Sequence, residues 1–137
     1  MPKFGNRSKN NLLQCDIRIQ SIMNEVIKFY DCTIITGHRG KIEQNEKFSE
    51  GTSKVRYPDS THNTIPSLAV DVAPWPIPEN WGIYSFKELA KFYMLAGIIL
   101  YEANKQGYTL RWGGDWNMDF NFNDNTFDDL IHYEIIN

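Results

Sequence analysis

One run of residues constrains the fold more than any other: Leu68-Ala69-Val70-Asp71-Val72-Ala73. It is short, rich in small and β-branched residues, and bounded by Pro66 and by the proline- and tryptophan-rich loop Pro74 to Gly82, so it reads as a strand. Alternation puts Ala69, Asp71 and Ala73 on one face and Leu68, Val70 and Val72 on the other. A carboxylate among alanines and valines needs compensation if it is buried. Whatever sheet holds this strand must bring Asp71 a partner.

The remaining segments supply the cover for that strand. Leu12, Cys15, Ile19, Ile22, Val26 and Phe29 recur three or four apart, which predicts a helix from Asn11 to Tyr30. Cys32 to Thr36 is a short β-branched strand ended by Gly37, and polar Lys41 to Glu50 is a short helix stopped by Gly51. Thr52 to Ser67 is loop. Ser85 and Glu88 form a capping box for a helix carrying Leu89, Phe92, Ala96, Ile99, Leu100 and Ala103, with Gly107 as its stop. Tyr108 to Trp112 is a strand, and Gly113 to Asp128 is a polar loop. Ile131 to Ile135 alternates, with His132 and Glu134 on a polar face and Ile131, Tyr133 and Ile135 toward the core. The order predicts a small α+β domain, one unit over residues 1–137, with helices packed on a mostly antiparallel sheet.

At 137 residues the chain can bury one real core but not two. An aromatic content of 14% argues against a disordered chain, and a net charge of -3 with scattered lysines and arginines argues against a nucleic-acid binder. Cys15 and Cys32 sit in apolar surroundings with no CxxC pair, as two reduced, buried thiols. The N-terminal MPKFGNRSKNN has no apolar segment of a signal peptide, and the longest apolar stretch, Phe92 to Tyr101, is about half of the ~20 residues a membrane span needs. These features predict a protein made in the cytoplasm.

The chemistry-bearing residues are few. His38, His62 and His132 are the three histidines, and none lies in an HExxH motif. His62 precedes the Asp71 strand, and His132 projects from the last one. Two imidazoles and one carboxylate suit zinc, with water in the fourth position. The plainer alternative is that Asp71 pairs with an arginine and the histidines are structural. Asp129 stands three residues before His132, within reach of a metal's water if the chain enters the strand directly; Asp128 is its rival. Arg39 could stabilise an oxyanion or hold a substrate carboxylate. The double glycine of RWGGDW permits a close backbone approach, to a ligand or to packed core. Trp75 and Trp81 could line a groove, and the acid-rich loop from Asp115 to Asp128 reads as solvated rather than as a calcium site.

Four stretches together resemble the family of zinc D,D-carboxypeptidases and L-alanyl-D-glutamate endopeptidases, which includes VanY- and VanX-type enzymes and small phage endolysins. They are TGHRG (36–40) followed by Gln44, STHNTIPSLAVDVAPWP (60–76), RWGGDW (111–116) and FDDLIHYEI (127–135). The resemblance implies a Hedgehog/D,D-peptidase-like fold and a zinc ion on His62, Asp71 and His132. It implies Asp129 as the catalytic acid and base, with Arg39 assisting substrate or transition state. The chain departs from the family pattern in the longer Asn63–Pro66 loop, in Ser67 where many members have glycine, in Asp129 where several have Glu, and in Ile131 where proline is usual.

The function so implied is zinc-dependent hydrolysis of the L-Ala-D-Glu bond of the peptidoglycan stem peptide. The setting would be phage lysis, with a separate membrane-permeabilising protein opening the way to the wall and the enzyme acting as a monomer. A D,D-carboxypeptidase or dipeptidase is the neighbouring expectation, and a non-catalytic zinc-stabilised wall-binding module the more distant one.

Overall fold

Helical and strand segments fold as the patterning requires, with two departures that matter for the site. The computed structural model describes residues 1–79 and 85–137. Its four strands are β1 (Cys32–Thr36), β2 (Ala69–Pro74), β3 (Thr109–Gly113) and β4 (Asp129–Ile136). They form one sheet in the order β1-β2-β4-β3, and every neighbouring pair is antiparallel. The Asp71 strand and the His132 strand are therefore central and adjacent, with Asp71 directly opposite His132.

The helices are α1 (Asn6–Leu13), α2 (Ile17–Phe29), α3 (Lys41–Ser49) and α4 (Phe86–Lys105). Ile19, Ile22, Met23 and Val26 of α2 and Phe92, Leu95, Ala96 and Ile99 of α4 pack with Ile34, Val70, Val72 and Tyr133 in one apolar cluster. Each such side chain, fully buried, contributes about 1.5–3 kcal/mol. Ser85 and Glu88 form the expected reciprocal cap on α4, and Gly107 takes the left-handed conformation just past its end. Both cysteines are buried free thiols, and burial pushes each up to about 12. Among the described residues no helix is long and apolar enough to cross a membrane.

The first departure is that the helix expected over Asn11–Tyr30 is two helices. Asp16 caps α2 by accepting from the Arg18 amide, and the chain between the helices is drawn onto Ser67 through Asp16 N to Ser67 O and Ser67 N to Gln14 O. Leu12 and Cys15 are buried with the residues of α2, so apolar spacing persists across a break in the backbone. Side chains of α1 then cover the edge strand: Ser8 Oγ accepts from Ile34 N, and Asn11 donates to the carbonyls of Ile34 and Ile35.

The second departure lies in β4. The strand starts at Asp129 rather than Ile131, and its register against β3 slips so that Trp112 pairs with Tyr133 but Gly113 with Asp129. The expected alternation holds for Tyr133 and Ile135, but Ile131 is only half-buried and Leu130 packs against the core instead. The bulge has its own anchor, since Trp112 Nε1 donates to Leu130 O at 2.8 Å. Gly113 is required here because a Cβ would collide with the Asp129 backbone, and one on Gly114 would strike the Trp112 ring. The double glycine thus serves close packing within the chain.

Candidate metal centre

The site forms on the sheet face opposite the apolar cluster, where β2 and β4 lie side by side. Asp71 is 5% exposed, His62 2% and His132 7%. One potential ligand atom from each lies within 4.8 Å of the other two. His62 Nε2 is 3.1 Å and His132 Nδ1 3.6 Å from the same oxygen, Asp71 Oδ1.

Each imidazole is held by its outer nitrogen. His62 rides on a 3₁₀ turn, Thr61–Asn63, capped by Ser60, and its Nδ1 meets Gly37 O at 2.8 Å. Gly37 must be glycine, because a Cβ would overlap the Asn11 carbonyl of α1. His132 Nε2 meets Glu134 Oε1 at 2.7 Å, and Arg111 pairs with the other oxygen, Glu134 Oε2, at 2.9 Å. Outer nitrogens that donate to oxygen leave the inner nitrogens as lone-pair donors aimed at a common point. That is the outer arrangement seen around metal-bound histidines. The donor set of two imidazoles and a carboxylate fits zinc, so the residues present suit the group.

The arginine alternative for Asp71 is also realised, on its other oxygen. Arg39 Nη2 lies 3.3 Å from Asp71 Oδ2, and Arg39 Nη1 donates to Gln44 Oε1 at 3.1 Å. Burial favours the neutral form of Asp71, but His62 and His132 outweigh it and hold the carboxyl well below the usual range. Burial likewise opposes charge on His132, yet Asp71 and Glu134 raise it to about 9.

Asp129 opens β4 just before the bulge, paired with Gly113. Its carboxyl is near enough to Asp71, His132, His62 and Arg39 to feel their charges. Burial and then the Asp71 charge raise its carboxyl, partly offset by His132, His62 and Arg39. The rival Asp128 is exposed and accepts from Asn125 Nδ2 at 2.6 Å.

Other expected residues lie elsewhere. Trp116 stands over His132 at 5.4 Å between ring centroids, whereas Trp75 is 55% exposed and lines a groove with Lys3, Asp31 and Ile77. Trp81 lies outside the described residues. Asp115 is 4% exposed and folds its own loop by accepting from the amides of Asp119 and Phe120, while Asn117 to Asp124 are exposed, as expected of a solvated loop. His38 is not part of the His-Asp-His group. Sequence reading placed Glu134 beside His132 but gave it no role, and it overlooked Arg111 and Asn63; the i, i+2 spacing of His132 and Glu134 carried the signal for their contact.

The chain is 26% identical over 124 residues to the L-alanyl-D-glutamate peptidase of Escherichia phage T5, covering 89% of this chain and 87% of that protein. Its fold is similar to the crystal structure of the Serratia marcescens L-Ala D-Glu endopeptidase ChiX, with a TM-score of 0.70 at 20% identity, over 98% of this chain and 91% of the other. The sequence model of the phage L-alanyl-D-glutamate peptidases matches residues 1–136, and the chain belongs to that family.

Proposed function

We propose that this protein is a zinc-dependent endopeptidase that hydrolyses the L-Ala-D-Glu bond of the peptidoglycan stem peptide, in the service of phage-mediated host lysis. The observation that carries the reading is the convergence of His62, Asp71 and His132 on one point with both outer imidazole nitrogens already engaged. Membership of the peptidase family supplies the substrate class.

In this reading His62, Asp71 and His132 would hold the metal. Zinc bound by them would supply an activated water and a Lewis acid for the scissile carbonyl. Asp129 takes the proton from the attacking water at its carboxylate and returns it to the nitrogen of the departing D-Glu residue. A raised carboxyl suits both halves of that task, since it accepts a proton more readily than an exposed aspartate. Arg39, tethered to Asp71 and Gln44, directs positive charge at the developing oxyanion or at a carboxylate of the anionic stem peptide. Glu134 and the Gly37 carbonyl keep the two rings from turning. Access to the wall is by way of a separate membrane-permeabilising protein, and the enzyme works as a monomer.

Treatment with a chelator, then dialysis and readdition of zinc, tests the metal requirement. Loss of peptidoglycan digestion and its recovery with zinc are expected; full-rate digestion by metal-free protein would overturn the reading.

A further inference from the structure

Helix α3 is mostly polar, and the one side chain it buries, Gln44, is 0% exposed. A buried amide costs free energy unless its donors and acceptor are matched. Here all are matched, and the partners come from three separate segments. Gln44 Oε1 accepts from Arg39 Nη1 at 3.1 Å and from Asn63 Nδ2 at 3.4 Å, next to His62. Gln44 Nε2 donates to Ser53 Oγ at 2.8 Å and to Val55 O at 2.7 Å. Asn63 closes the circuit by donating to Arg39 O at 2.9 Å.

The Arg39 side chain is 11% exposed and has two carboxylate neighbours. Asp71 takes Nη2 and so pulls the arginine toward the metal ligands. Glu43 is 4.0 Å from Nε but 54% exposed, so water weakens its hold. Gln44 is the buried restraint on Nη1. With Asp71 on Nη2 it fixes the plane of the guanidinium.

We propose that Gln44 is a positioning residue: it sets the orientation of Arg39 toward substrate and ties that orientation to the Ser53–Val55 loop. The role rests on the endopeptidase reading for Arg39. It acts through Arg39 and not on the metal.

Two substitutions separate the arms. Gln44→Met removes all four hydrogen bonds at similar volume. Gln44→Glu keeps an acceptor for Arg39 but has no donor for Val55 O. With zinc-loaded protein and a soluble stem peptide, Gln44→Met is expected to lower kcat/KM about 10- to 100-fold, with zinc affinity unchanged. Gln44→Glu is expected to lower the melting temperature but to keep kcat/KM within about 5-fold of the wild type. In an Arg39→Ala background Gln44→Met is expected to cost little more, because the two act as one unit. Equal kcat/KM losses in both Gln44 variants, or losses that multiply with Arg39→Ala, would overturn the proposal. A separate readout does not depend on catalysis: the Arg39 side-chain NMR signals, identified by their absence in Arg39→Ala, should be slowed by restricted rotation in the wild type and averaged in Gln44→Met. Wild-type protein that fails to cleave would remove the endopeptidase reading while these signals still decide the role of Gln44; identical signals in wild type and variant would end it.

Discussion

Strands β2 and β4 are buried on both faces, and the two faces are made of opposite materials. Val70, Val72 and Tyr133 meet the helices α2 and α4, while Asp71, His132 and Glu134 line the other side. On the apolar face burial itself is the driving force and many side chains of similar volume would serve. On the polar face charges leave water, and at best their pairing offsets that loss. Each polar group there has a specific neighbour from a different segment: Gly37 for His62, Arg39 for Asp71, Arg111 for Glu134. One face holds the fold together. The other is carried by it, and its cost is accounted for by chemistry.

Substitutions on the two faces should therefore separate activity from stability. The largest effect is expected from Asp71→Asn, which removes the charge shared by both histidines: zinc binding should be lost and hydrolysis should fall by about three orders of magnitude or more. Calorimetric zinc titration checks the first part and peptidoglycan turbidity the second. Asp129→Asn should lower turnover about 10²- to 10⁴-fold with zinc still bound. Its sign on stability is the reverse. The Asp129 carboxyl is raised in the folded protein, so its ionised form opposes folding above that raised value, and the opposition is relieved as pH falls through it. Metal-free Asp129→Asn should thus melt higher than wild type at neutral pH, with the gap closing in acid; a lower melting temperature at pH 7 would contradict this.

Glu134→Gln should weaken zinc binding by about 10- to 100-fold while leaving the far-ultraviolet spectrum unchanged, since it releases Arg111 and removes the charge behind His132. The smallest change belongs to the apolar face. Ile34→Val, opposite Val72, should cost about 1 kcal/mol, a few degrees in melting temperature, with no change in zinc affinity. An altered zinc affinity in that variant would mean the two faces are coupled and the division between them is wrong.

The apolar face was legible in the sequence, and the polar face only in part. Spacing placed Ile19, Ile22, Val26, Phe92 and Ile99 in the core because a helix exposes the same stripe every three or four residues. The strand pattern singled out Asp71 and put His132 and Glu134 on one polar face. The bulge beside Asp129 could not be read locally, because it depends on the fit of Gly113 and Trp112 from another strand. The break at Asp16 was hidden for a related reason, since Leu12 and Cys15 keep the helical spacing across it. Gln44 was noted only as part of a motif, because the partners that allow its burial come from residues far along the chain.

The most direct test of the central claim is mass spectrometry of purified peptidoglycan digested by the zinc-loaded protein. New L-Ala carboxyl ends paired with new D-Glu amino ends, absent from the Asp129→Asn digest, are expected. Released D-Ala with intact L-Ala-D-Glu bonds, or stem peptides left unchanged, would contradict it.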